Sequence, residues 1–172
     1  MIKRRRYDLV LAIYLESRGF AFALFDGWCD PADWGFFEAR GANNERSVRR
    51  VEALLELRAP DVVVLQDTSE GGTRRARRIR ALNLEIAHVA QERGIFVRTY
   101  SRGQIAKHFD LFGAGNKQQI AETIAKHIPA LDFYVPPPRK PWTSEDRRLA
   151  IFDAVALAWL YFCEADTDRT AA

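Results

Sequence analysis

The chain has 172 residues, which favours one domain with a full core over a set of modules. Hydrophobic residues make up 48% and charged residues 28%, a globular balance that excludes a long disordered or low-complexity chain. The net charge of +3 is too small to define a partner, but its distribution is uneven. Basic residues cluster at residues 3–6, at Arg74, Arg75, Arg77, Arg78 and Arg80, and at Arg139, Lys140, Arg147 and Arg148. Arginine's planar fork suits phosphate, so the three clusters together point to nucleic acid, although each alone also fits a solvated helix face.

No apolar run is long enough to span a bilayer. The basic start is followed by a run broken by Asp8, Glu16 and Arg18 with no clean small-residue cleavage site, so a cytoplasmic location is expected. Cys29 and Cys163 are isolated in sequence, lack metal-ligand spacing and fit a reducing compartment.

In chain order, residues 8–14 and 19–25 are β-rich apolar runs joined by a tight connection, which predicts an antiparallel pair. Residues 33–39, dominated by Trp34, Phe36 and Phe37, predict a third strand that completes a meander. Val48, Val51, Leu54 and Leu55 have helical spacing over 43–58, with Asn43 or Asn44 as cap. The continuous run Val62, Val63, Val64, Leu65 predicts a central parallel strand buried on both faces. A Ser/Gly/Thr loop over 68–73 follows at its carboxyl end, where open α/β sheets bind ligands.

A helix is predicted over 74–93, then a strand at 95–97 and helices over 104–109 and 117–127 flanking the glycine-rich 113–115. Residues 136–138, all proline, read as a stiff extended segment. Ser144, with Glu145 and Asp146 in the first turn, is expected to open a last helix running to about Glu164. Residues 1–165 read as one domain, with 166–172 as a frayed tail. The order of elements predicts an α/β fold: a mixed sheet with a three-strand antiparallel meander followed by parallel strands, flanked by helices.

Four segments carry a resemblance. Residues 12–19, AIYLESRG, resemble a first strand and turn that normally reads I-D-P-x-S-R-x-x-G. Residues 60–67, PDVVVLQD, resemble a fourth strand that usually ends in a catalytic Glu. Residues 115–120, GNKQQI, resemble a segment with a basic residue near the active site. Residues 151–158, IFDAVALA, resemble a final helix of pattern D-A-x-A-x-A. Their order resembles that of the RuvC-type Holliday-junction resolvases in the RNase H-like superfamily.

The resemblance implies an RNase H-like domain and a metal-dependent endonuclease acting on branched DNA as a homodimer. In such enzymes carboxylates hold two Mg2+ or Mn2+ ions that activate water and stabilise the leaving oxygen. The implied ligands are Asp153, Asp67 and Glu16, with Asp146 seven residues before Asp153, and Lys117 would contact the scissile phosphate. Arg74, Arg75, Arg77, Arg78, Arg139 and Lys140 would hold the nucleic-acid backbone. Yet Tyr14 and Gln66 stand where the pattern has acids, and neither supplies an ordinary anionic ligand at neutral pH. The competing expectation is therefore a catalytically inactive nucleic-acid-binding or structural protein. Glu16 and Asp67 would then be exposed turn residues and Asp146 part of a helix N-terminus.

Among the remaining candidates, His88, His108 and His127 lie on separate predicted helices and read as structural. Trp28, Trp34, Trp142 and Trp159 are candidates for base stacking, with Trp34 and Trp159 assigned to the core. Residues 113–117 end in Lys but lack the spacing and Ser/Thr of a phosphate-binding loop.

Overall fold

The computed structural model describes residues 8–39, 41, 44–69 and 74–170. The basic cluster at 3–6, the candidate cap Asn43 and residues 70–73 of the loop at 68–73 lie outside the described residues. So do the side chains of Arg74 and Arg75.

The first three strands, β1 (Leu9–Glu16), β2 (Gly19–Asp26) and β3 (Pro31–Glu38), form the expected antiparallel meander. Helix α1 (Asn44–Arg58) leads into β4 (Val62–Gln66), which pairs parallel to β1. Helix α2 (Arg74–Glu92) then leads into β5 (Phe96–Tyr100), parallel to β4. The five strands lie in the order β3-β2-β1-β4-β5, a mixed α/β sheet with the two parallel additions on the β1 side. Helices α3 (Arg102–Asp110), α4 (Lys117–His127) and α5 (Arg148–Thr170) follow, with a 3-10 segment at Pro129–Tyr134 that the sequence pattern did not suggest. No helix among the described residues is long and apolar enough to cross a membrane.

Strand alternation sorts the core into two halves. Val10, Ala12, Ala21, Ala23, Val62 and Val64 face α4 and α5, while Leu11, Ile13, Phe22, Leu24, Val63 and Leu65 face α1 and α2. The buried central strands explain why residues 62–65 read as an unbroken apolar run. Helix α5 is buried on nearly every side from Leu149 to Leu160, so its sequence shows no amphipathic stripe. Ala154, Ala156 and Ala158 are fully or almost fully buried and let the helix lie close to the sheet.

Strands β3 and β5 and helix α3 are offset by a few residues from expectation, and both ends of α5 differ. Helix α5 begins at Arg148, not Ser144, because Asp146 is the residue that caps it. Its Oδ1 accepts from the Arg148 N–H at 2.9 Å, and its carboxylate also takes Nε and Nη2 of Arg148 at 3.0 and 2.7 Å. At the other end the helix continues to Thr170, past Glu164.

The turn between β1 and β2 depends on Gly19, whose φ is +147°. A Cβ there would lie 1.8 Å from the Phe37 carbonyl oxygen of β3. The residue thus serves both the turn and the close approach of the third strand. Replacing it adds strained backbone and a clash with main chain, which cannot swing away. Gly19→Ala is expected to cost roughly 3 kcal/mol of stability in urea unfolding. A midpoint equal to that of the parent chain would contradict this assignment.

Candidate functional site

The parallel register Val10↔Val62 to Ile13↔Leu65 makes Tyr14 and Gln66 the next residues on their two strands. Gln66 pairs with Tyr100 on β5, and Tyr14 pairs with Ala21 on β2, which in turn pairs with Phe36 on β3. Phe36, Ala21, Tyr14, Gln66 and Tyr100 therefore form one row across the sheet at the carboxyl ends of the parallel strands. Alternation puts the row on the α5 face. The end of β4 is held by buried Asn83 of α2, whose Nδ2 donates to the Gln66 carbonyl at 2.8 Å.

Asp153 enters this face from the second turn of α5, and Lys117 enters it as the first residue of α4. Asn116 fixes that helix start, its side chain accepting from the Gln119 N–H at 2.9 Å. The Lys117 ammonium lies 3.0 Å from Asp153 Oδ2, 2.7 Å from Glu145 Oε1 and 5.4 Å from the Tyr14 ring centroid. Only 18% of the Asp153 side chain is exposed, and its buried Oδ2 takes no aligned hydrogen bond. Lys117 therefore neutralises Asp153 as a charge at short range, while its aligned hydrogen bond goes to Glu145.

The electrostatics follow from this placement. Burial pushes the Asp153 carboxyl up to about 6, against the opposing pull of Lys117; Glu145 and Glu16 add to the rise. Burial, then the charge of Asp153, also raises the Tyr14 phenol, so Tyr14 is a neutral hydroxyl at physiological pH. Burial works against the Lys117 ammonium, but Asp153, Tyr14 and Glu145 outweigh it and hold its pKa above the ordinary value.

Tyr14 separates this cluster from a cleft of about 660 Å³, which it lines with Gln66, Asp67, Ser69, Ser101 and Arg102. Asp67 is exposed there and turns back on its own loop, with Oδ1 accepting from the Ser69 N–H at 2.9 Å. That bond holds its carboxyl below the ordinary carboxylate range. The structure thus gathers Tyr14, Lys117 and Asp153, with Glu16 close enough to be felt electrostatically, and leaves Asp67 on the cleft side. Asp146 is spent on capping α5 and pairing with Arg148.

Sequence reasoning missed Glu145 as the second partner of Lys117. It also missed Arg102, which lines the cleft, and buried Tyr100, which extends the Tyr14–Gln66 row. Register alone could have flagged Tyr100, because it pairs with Gln66. His108 and His127, distant in sequence, both pack against Trp159, with ring centroids 6.4 and 5.2 Å away. Trp28 stacks edge-on against Trp159 at 4.7 Å, which leaves Trp142, 79% exposed, as the open indole. In the basic run, Arg78 donates to the Ser17 carbonyl at 2.6 Å and Arg80 to the Thr68 carbonyl at 3.0 Å, tying α2 to the site loops. Arg77 is exposed.

The residues do not fit a pair of divalent ions. Tyr14 and Gln66 are neutral, an ammonium already faces Asp153, and among the described residues no three acidic, His or Cys side chains are grouped to hold a metal.

The class defined by this sheet order and helix placement is the RNase H-like fold of the RuvC-type resolvases, as four solved structures bear out. A Thermus thermophilus RuvC structure superposes with a TM-score of 0.61 at 17% identity, covering 87% of this chain and 90% of that one. T. thermophilus RuvC in complex with Holliday junction substrate gives 0.59 at 16%, over 88% and 90%. The yeast mitochondrial Holliday junction resolvase Ydc2 gives 0.61 at 14%, over 88% and 78%. Fowlpox virus resolvase, with its substrate Holliday junction DNA, gives 0.53 at 12%, over 91% and 99%. No protein-family model and no curated protein matches the chain.

The raised Asp153 carboxyl has a consequence for stability. Between its ordinary 3.8 and about 6 the folded chain holds a proton that the unfolded chain releases. This group's contribution to stability therefore falls as pH rises through that window. Carboxyl NMR is expected to show Asp153 titrating near 6, and Asp153→Asn to remove the matching segment of the stability–pH curve. Titration near 4 would contradict the burial of this charge.

Proposed function

We propose that the chain is a binder of branched DNA that has exchanged two-metal hydrolysis for an internal ion pair. The observation that carries this reading is the Lys117 ammonium 3.0 Å from Asp153 Oδ2, beside Tyr14. In the related folds the corresponding strand and helix positions are expected to present acids to metal; here one acid remains and a lysine answers its charge. Binding is supported by the likeness to two resolvases whose structures contain Holliday junction DNA. Arg77, Arg102, Arg139 and Lys140 supply cations around the cleft and the segment before α5, where phosphate contacts would position DNA without reading sequence. A two-fold homodimer on a two-fold junction belongs to the same reading.

A second reading keeps the nuclease. Glu16 and Glu145 both act on the charge of Asp153, so three carboxylates share one neighbourhood. Mg2+ or Mn2+ would then be held by Asp153 with Glu16 and Asp67, after Lys117 turned towards a phosphate and Asp67 left its Ser69 bond on the cleft side. That arrangement requires the ammonium to leave two carboxylates at once.

A four-way DNA junction separates the two readings. The expected outcome is junction binding of equal affinity in EDTA and in Mg2+ or Mn2+, with no cleavage in any of them. Tyr14→Asp with Gln66→Glu places two new carboxylates in the row next to Asp153 and is expected to raise Mn2+ affinity in calorimetry, a gain that Asp153→Asn abolishes. Metal-dependent cleavage by the unaltered chain, stopped by Asp153→Asn, would establish the nuclease reading instead.

A further inference from the structure

The segment joining the 3-10 turn to α5 is built to display an aromatic ring. Lys140, Pro141, Trp142 and Thr143 form a tight turn in which the Thr143 N–H donates to the Lys140 carbonyl at 3.0 Å and Thr143 Oγ1 donates to the same oxygen at 2.9 Å. Pro141 sits at the second position of that turn, where its fixed φ is favourable. Arg139 Nε closes the other side on the Thr143 carbonyl at 2.5 Å. Three hydrogen bonds and a proline thus order the backbone around Trp142, and the indole is still 79% exposed and belongs to neither core.

An ordered turn that leaves tryptophan in water spends conformational entropy without burying apolar surface in return. The surroundings indicate what covers it. The Lys140 ammonium lies 5.8 Å from the Trp142 ring centroid, and Arg139 precedes it, its Nη groups taking no hydrogen bond among the described residues. Prolines 136–138 stiffen the approach. The strap is pinned to the body by Gln118 Nε2 donating to the Pro136 carbonyl at 2.8 Å and by Tyr134 packing edge-on against Trp34 of β3. Three residues beyond Trp142, Glu145 meets Lys117. The ring therefore stands on a rigid support that leads directly into the site.

We infer that the strap of residues 133–142 is a stacking platform for unpaired bases of nucleic acid, with Trp142 as the ring that receives a base and Arg139 and Lys140 as the cations that hold the neighbouring phosphates. A flat, exposed π-face beside two cations suits a nucleobase next to its own backbone, and such stacking tolerates any sequence. The inference deepens the DNA-binding reading above, because it names unpaired nucleotides, as found where branches meet, as what this surface takes.

The test is fluorescence anisotropy with three labelled probes: an oligo-dT strand, a blunt duplex of equal length and a four-way junction bearing a single-stranded gap at its centre. Trp142→Ala is expected to weaken binding of the dT strand and the gapped junction about tenfold while leaving the duplex within twofold. Trp142→Phe, which keeps a π-face, is expected to recover most of the loss. Arg139→Ala with Lys140→Ala is expected to weaken all three probes and flatten their salt dependence. If Trp142→Ala binds all three probes like the parent chain, the platform assignment is overturned while the DNA-binding reading stands, and a protein partner becomes the better occupant. If the parent chain binds none of the probes, both fall.

Discussion

A carboxylate that is four-fifths buried must be answered by a positive charge, protonated, or left at a cost of several kcal/mol. At Asp153 the answer is Lys117. This one contact joins the start of α4 to the second turn of α5, and through the Tyr14 ring it reaches the end of β1. Glu145 shares the ammonium and so draws in the chain just before α5. The pair has no aligned hydrogen bond, and Asp153 remains poised to protonate near pH 6. Metal binding here would first have to separate Lys117 from two carboxylates.

The rest of the site follows from sheet geometry. In a parallel ladder, side chains in register on the same face form a row, and at the carboxyl ends of β1, β4 and β5 that row is Tyr14, Gln66 and Tyr100. None of the three carries a charge near neutral pH. Tyr100 is itself occupied, donating to Glu164 at 2.7 Å, with Arg98 bridging to the same carboxylate at 2.7 and 3.0 Å. The row is neutral; Tyr14 touches the ion-paired cluster, and Tyr14 and Gln66 line the open polar cleft. The cations nearby are Arg102 in the cleft and exposed Arg77 on α2, with the aromatic and basic strap before α5, and these are the groups on which the proposed DNA binding rests.

Much of this was legible in the chain. Residues 62–65 announced a central strand because burial on both faces removes alternation, and the meander was visible in two apolar runs split by a short turn. Tyr14 and Gln66 stood out because neighbouring motifs aligned them with positions where acids were expected. The start of α5 was not legible: Ser144 and Asp146 can both cap, and Asp146 also forks with Arg148. That shift of the helix start is also why Glu145 escaped notice. Read as a first-turn helical acid it faces solvent, whereas in extended chain it meets Lys117, 28 residues away. The convergence of His108 and His127 on Trp159 depends on how α3, α4 and α5 pack, which no local pattern encodes.

The most direct test of the ion pair in place of metal is a crystal of the protein grown or soaked with Mn2+ and measured at a wavelength where manganese scatters anomalously. The expected map has the Lys117 ammonium against Asp153 and no manganese peak within ligand distance of its carboxylate. A manganese peak on Asp153, with Lys117 turned away from it, would contradict the proposal and restore a metal centre to this fold.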